Sequence, residues 1–143
     1  MRRSVWDRGH FRGAVLLMAG MMQAQSGPRS VDTNSTLDKV AIKHLDELNT
    51  ALWIFDIDCS RVSWANKAAL VIWNAERLED LTSRDMSNDM SVSVAERLKQ
   101  YQEDFIATNA AFSEVWTLYP EGVPTTLDVA FKGFRFDDGR MGM

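Results

Sequence analysis

Between Ala51 and Trp73 the chain reads ALWIFDIDCSRVSWANKAALVIW, and this stretch constrains the fold more than any other. Leu52 to Ile57 is apolar on both faces and rich in aromatic and β-branched side chains, the pattern of a strand covered on at least one side. Asp56 to Arg61 supplies Asp and Ser, whose side chains bond nearby backbone and favour a reversal. Val62 to Ala65 follows as a second strand. Asn66 then stands where an N-cap is needed, its side-chain oxygen expected to accept from the first amides of a helix over Lys67 to Trp73. A hairpin running directly into a helix is therefore expected.

On either side of this stretch the periodicity is helical. Leu37, Val40, Ala41, His44, Leu45 and Leu48 recur at spacings of three and four, which predicts an amphipathic helix led by Ser35 and Asp38. Asn74 is expected to cap a short helix over Ala75 to Leu81, and TSRDMSNDMS then reads as a polar loop. Ser93 and Glu96 match a capping box, and Val94, Leu98, Tyr101 and Phe105 form the apolar stripe of a longer helix.

The last third reads as β. Phe112 to Tyr119 and Thr125 to Phe136 flank Pro120-Glu121-Gly122-Val123-Pro124, as the arms of a hairpin. Leu127, Val129 and Phe131 share one parity and Phe134 and Phe136 the other, so a β-bulge is predicted at Gly133. Asp138-Gly139 is a tight-turn pair, and Arg140 to Met143 begin a further strand.

In order and character these segments resemble a PAS domain, the sensory module of histidine kinases, cyclases and other signalling proteins. The resemblance rests on the W-I-F-D-I-D strand, the Asp-led turn, the strand ending in Asn66, the N-K-A-A-L helix that begins there, and the helix and two strands downstream. It implies an α+β fold, a PAS-like antiparallel sheet with helices on one face. The chain then divides into a basic, disordered extension over 1–36, a leading helix over 37–49 and the PAS-like domain over 50–143. It also implies that the last strand lies between the first and the fourth, so that its four residues leave it incomplete.

The same resemblance sets the functional expectation: a non-enzymatic regulatory module, expected as a homodimer, in which ligand or strain in a sheet–helix pocket biases the flanking helices and so controls a kinase or cyclase output. A pocket between sheet and long helix would be lined by Leu52, Ile54, Trp64, Trp73, Leu98, Tyr101, Phe105 and Trp116, unless those side chains fill the space themselves. The leading helix, through Leu37, Ala41, His44, Leu45 and Leu48, would pack on a second copy or on its own domain, with His44 half-buried. The alternative is a ligand-free interaction and dimerisation module.

Charge narrows the partners. Residues 1–30 carry five Arg against one Asp, whereas residues 31–143 carry eleven Lys or Arg against nineteen Asp or Glu, a net charge of −8. Such a domain repels phosphate backbones, which argues against nucleic acid. The apolar run Ala14 to Met22 has nine residues, short of a membrane span. Its basic flank matches a secretory leader in outline, but Asp7, Met22 and Gln23 depart from that pattern, and a cytoplasmic location is expected.

No cofactor is expected. Val92 to Thr108 contains no His for haem, and DLTSRDMSNDMSV lacks the N-C-R-F-L-Q type segment of cysteinyl-flavin sensors. Cys59, the single cysteine, falls in a turn with only Arg61 nearby in sequence to activate it. Asp56, Asp58, Asp137 and Asp138 are read as turn residues rather than metal ligands. A catalytic triad, a P-loop and a dinucleotide fingerprint are absent from the sequence.

Overall fold

The computed structural model describes Trp6–Asp7 and residues 33–143, with side chains described from Val40 onward. The fold is α+β, helices with small antiparallel sheets. The elements are β1 (Trp6–Asp7), α1 (Thr33–Asp46), β2 (Trp53–Asp56), β3 (Arg61–Ala65), α2 (Lys67–Ile72), α3 (Leu78–Thr82), α4 (Val92–Thr108), β4 (Ala111–Leu118), β5 (Thr125–Lys132), β6 (Phe134–Arg135) and β7 (Met141–Gly142).

The hairpin feeding a helix is present as expected. Asp56 Oδ1 accepts from the Cys59 amide at 3.0 Å, which closes the turn, and Ser60 takes a positive φ of 51°. Asn66 caps α2, its Oδ1 accepting from the Ala69 amide at 3.0 Å. Between β2 and β3 the register shifts: Ile54 faces Trp64 but Phe55 faces Val62, so Ser63 bulges out of the ladder.

Several expected boundaries move. Helix α1 starts at Thr33 and ends at Asp46, so Ser35 lies inside it rather than ahead of it, and residues 33–36 leave the extension. Asn74 does not start a helix. It takes a left-handed φ of 49° just past Trp73, the C-cap of α2, a conformation that Asn tolerates well. Helix α3 begins four residues later behind Arg77, which makes no side-chain cap. On α4 the cap is Ser91, whose Oγ accepts from the Val94 amide at 3.3 Å, so the Ser93/Glu96 box does not form. The predicted stripe of α4 holds: Leu98, Tyr101 and Phe105 are buried and Val94 packs beside them.

At the predicted bulge the strand changes partner instead. β5 pairs with β4 in unbroken register from Thr125↔Leu118 to Lys132↔Ala111. Beyond Gly133 the chain continues as β6, which pairs with β7. A Cβ on Gly133 would lie 2.7 Å from Phe105 Cβ and 2.8 Å from Met141 Sδ, so the interruption falls where α4 presses closest on the backbone.

β7 is held on both sides. It pairs with β6 through Phe134↔Gly142 and Arg135↔Met141, while Phe55 and Met143 exchange backbone hydrogen bonds at 2.6 and 3.0 Å. These short contacts leave the last strand flanked by β2 and β6, with only Phe55 of β2 bonded to it. At the opposite edge, Trp6–Asp7 pair with Leu118 and Thr117 of β4, a two-residue strand inside the stretch read as an extension. Two residues are too few to carry a readable period. The apolar run Ala14 to Met22 lies outside the described residues. Among the described residues no helix is long and apolar enough to cross a membrane.

Candidate functional site

The core divides the eight expected pocket residues. Leu98, Tyr101 and Phe105 on α4, Trp116 on β4 and Trp73 after α2 belong to one buried cluster. Leu52 is buried outside that cluster. Ile54 and Trp64 are cross-strand partners and half-exposed, whereas Trp53 and Phe55 of the opposite parity are buried. Neither therefore lines the core. Because Leu52 to Ile57 is apolar at every position but Asp56, its parity could not be read in advance.

Rings fill the space between α4 and the β4–β5 pair. Tyr101 contacts Phe112 and Phe131 at centroid distances of 4.9 Å each, and Trp116 contacts Phe131 at 4.9 Å. Phe105 closes on Phe112 at 5.9 Å and Phe131 at 6.3 Å. Trp73 packs elsewhere, edge-on to Trp53 at 5.9 Å. Edge-to-face and offset contacts of this kind are the favoured packing of aromatic side chains.

One carboxylate enters this aromatic layer. Phe112, Glu114, Trp116 and Leu118 share a parity on β4, which turns Glu114 towards α4 with its side chain 22% exposed. Its Oε2 accepts from the Tyr101 hydroxyl at 2.8 Å and the Trp116 indole N–H at 3.2 Å. Its Oε1 accepts from Arg97 Nη2 at 2.7 Å. Arg97 Nε also donates to the Tyr101 hydroxyl, and the guanidinium lies 5.2 Å from the Tyr101 ring centroid.

Burial alone would raise the Glu114 carboxyl, but hydrogen bonds from Tyr101, Arg97 and Trp116 outweigh it and hold the group below its ordinary range. Burial pushes the Tyr101 phenol up. Sequence reasoning passed over Glu114 and Arg97. A charged residue at an inward-facing strand position was the readable signal.

A second ionic cluster joins β2 to the approach of β7. Asp56, 6% exposed, receives Arg140 Nη1 on both carboxylate oxygens at 2.9 and 2.8 Å. Arg140 also donates from Nε to Asp138 Oδ2 at 2.7 Å and lies 5.2 Å from the Phe136 ring centroid. Arg140 Nη1 is 3.6 Å from Cys59 Sγ, a neighbour 81 residues away in sequence. Burial raises Asp56, while bonds from Arg140 and Cys59 more than offset it and leave the carboxyl lowered.

Among the described side chains of α1, those from Val40 to His44 face outward. Val40, Ile42 and Leu48 are about half exposed, and Ala41 and His44 are exposed, so His44 is not the half-buried packing residue expected. Its ring Nδ1 lies 2.7 Å from the Val40 carbonyl oxygen, turned back along its own helix. Leu45 is half-buried, and the side chain of Leu37 lies outside the described residues. The C-terminal end of α1 is nevertheless fixed. Asn66 Nδ2 donates to the carbonyls of Leu45 and Thr50, and Asp46 Oδ1 accepts from the Lys67 amide at 3.0 Å. Beside this joint, Leu48, Ala68 and Val71 line an open groove of about 410 Å³.

Among the described residues no group of three or more His, Cys, Asp or Glu is placed to hold a metal ion. No protein-family model matches the chain, and neither a curated protein nor a solved structure matches it.

Proposed function

We propose that the chain is a non-enzymatic regulatory module of the PAS type, which acts as a homodimer in a signal-transduction protein and passes strain between α1 and the β2–β3 hairpin to a kinase or cyclase output. The observation that carries this reading is the joint at Asn66. Helix α1, with exposed apolar side chains at Val40 and Ile42 and with Leu48 exposed just beyond its end, is bonded there to a fully buried asparagine that also caps α2. Apolar side chains left in water favour a partner surface, and the same helix of a second copy offers the matching one. A shift of α1 would then reach the β2–β3 hairpin and α2 through Asn66, and α2 again through the Asp46 bond to the Lys67 amide.

The strand order supports the reading as well, with β7 beside both β2 and β6 and with α4 laid against β4 and β5. Ring-to-ring contact between α4 and the sheet favours contact or strain, rather than an occupant of the interior, as the input. It also favours the second reading, a ligand-free dimerisation module without a switch. Such a switch needs a partner that binds two states with different affinity.

Sedimentation velocity of the wild-type chain, Val40→Asp and Leu48→Asp tests the proposal. The wild type should sediment as a dimer and both variants as folded monomers. A wild-type monomer at all concentrations overturns it. Native mass spectrometry adds a second arm, because a stoichiometric co-purifying compound would replace strain with ligand sensing.

A further inference from the structure

The Glu114 cluster has the composition of a cation receptor, and its present occupant is tethered to the protein. Glu114 Oε2 is fixed by Tyr101 and Trp116, both buried, while Oε1 is bonded to Arg97. Arg97 sits on the outer side of α4 with its side chain 46% exposed, one helical turn before Tyr101. Its guanidinium makes the contacts that a free guanidinium or ammonium would make: a charge-assisted bond to Oε1, a bond to the Tyr101 hydroxyl and an approach to the Tyr101 ring. Arg97 also bonds the Tyr101 hydroxyl, but Tyr101 and Trp116 are both fixed by the buried aromatic core and make their own bonds to Glu114. The carboxylate therefore stays oriented when Arg97 swings into solvent.

We propose that Tyr101, Glu114 and Trp116 form a binding site for a small organic cation of the guanidinium or amine class, with Arg97 as an intramolecular competitor that covers it. A net charge of −8 over residues 31–143 draws cations towards the domain as a whole at long range. A ligand of this class displaces Arg97 and inherits its bonds, and no covalent step is involved. Competition by the tethered Arg97 lowers the apparent affinity in proportion to the time Arg97 spends in place. The site is independent of the regulatory reading: it needs neither a dimer nor an output domain.

The test follows the Trp116 indole N–H resonance by NMR, because that proton is donated to Glu114. The resonance is identified by its absence from Trp116→Phe. Methylguanidinium is titrated into the full chain at constant ionic strength, with sodium as the control cation. Arg97→Ala should show a saturable shift at millimolar methylguanidinium, at least about tenfold tighter than the wild type. Arg97→Gln, which keeps a polar side chain on α4, should behave the same way, and either variant combined with Glu114→Gln should lose the shift. The proposal is overturned if the folded Arg97 variants show no saturable shift, or if the shift survives Glu114→Gln unchanged.

Discussion

Asn66 Nδ2 donates to the Leu45 carbonyl oxygen at 2.9 Å, a bond that spans 21 residues and closes the end of α1 onto the hairpin. The same side chain donates to Thr50 and accepts from the amides of Leu52 and Ala69, so all four of its hydrogen-bonding positions are used. Asn66→Ala should strand several of these backbone groups and cost about 3 kcal/mol in chemical denaturation. Asn66→Asp keeps the acceptor but turns a carboxylate towards two carbonyls, and should be destabilised to a similar degree. Hydrogen exchange should show α1 loosening before the β4–β5 pair in both variants.

Acid should weaken the fold through Asp56 and Glu114. Both carboxyls are lowered in the folded state, so each contributes stability that is complete above its unfolded-state range and is lost as pH falls through its folded-state value. Urea midpoints measured from about pH 7 to about pH 3 should therefore fall at the acid end. Asp56→Asn and Glu114→Gln should each flatten that fall. The Asp56 substitution should also cost about 2 kcal/mol near neutrality, because Arg140 and the Cys59 amide lose their charged acceptor.

Two glycines near the last strand should respond differently from a third. A Cβ on Gly142 would lie 2.6 Å from the Phe55 carbonyl oxygen, which is backbone and cannot turn aside. A Cβ on Gly133 meets Phe105 Cβ at 2.7 Å, fixed by α4. Ala at either position should cost roughly 2 to 3 kcal/mol by overpacking. Gly139 has open space around it and a φ of +87°, so Gly139→Ala should pay only for the left-handed backbone, about 1 kcal/mol. Thermal denaturation should place Gly133→Ala and Gly142→Ala both below Gly139→Ala.

Helix α4 ends at Thr108 and is followed by a C-cap, Asn109, in a left-handed conformation with φ 53°. Asn109→Gly should leave stability within about 0.5 kcal/mol of the wild type or raise it, while Asn109→Val should lower it by about 1 kcal/mol or more. Denaturation midpoints of the pair decide this.

Local chemistry was the legible part of this chain. The hairpin turn at Asp56, the cap at Asn66 and the buried stripe of α4 each depend on residues within a few positions of one another. What could not be read is of two kinds. Where a strand is apolar on both faces, as at Leu52 to Ile57, pattern does not say which parity points inward, and it is Trp53 and Phe55 that are buried while Ile54 and Trp64 are part-exposed. Where a contact joins distant segments, no spacing announces it: Arg140 meets Asp56 across 84 residues and Arg97 meets Glu114 across 17. The same limit hid the second duty of Asn66, since its cap bond is local and its bond to Leu45 is not.

The pairing of Phe55 with Met143 and of Asp56 with Arg140 bears on how fast the chain reaches its native state. The β2–β3 hairpin and the β4–β5 ladder each close over short loops and should form early, but joining them requires an encounter between segments more than eighty residues apart. Such distant closure carries its entropic cost before any contact repays it, so the docking of β7 should set the refolding time and substitutions there should act on it directly.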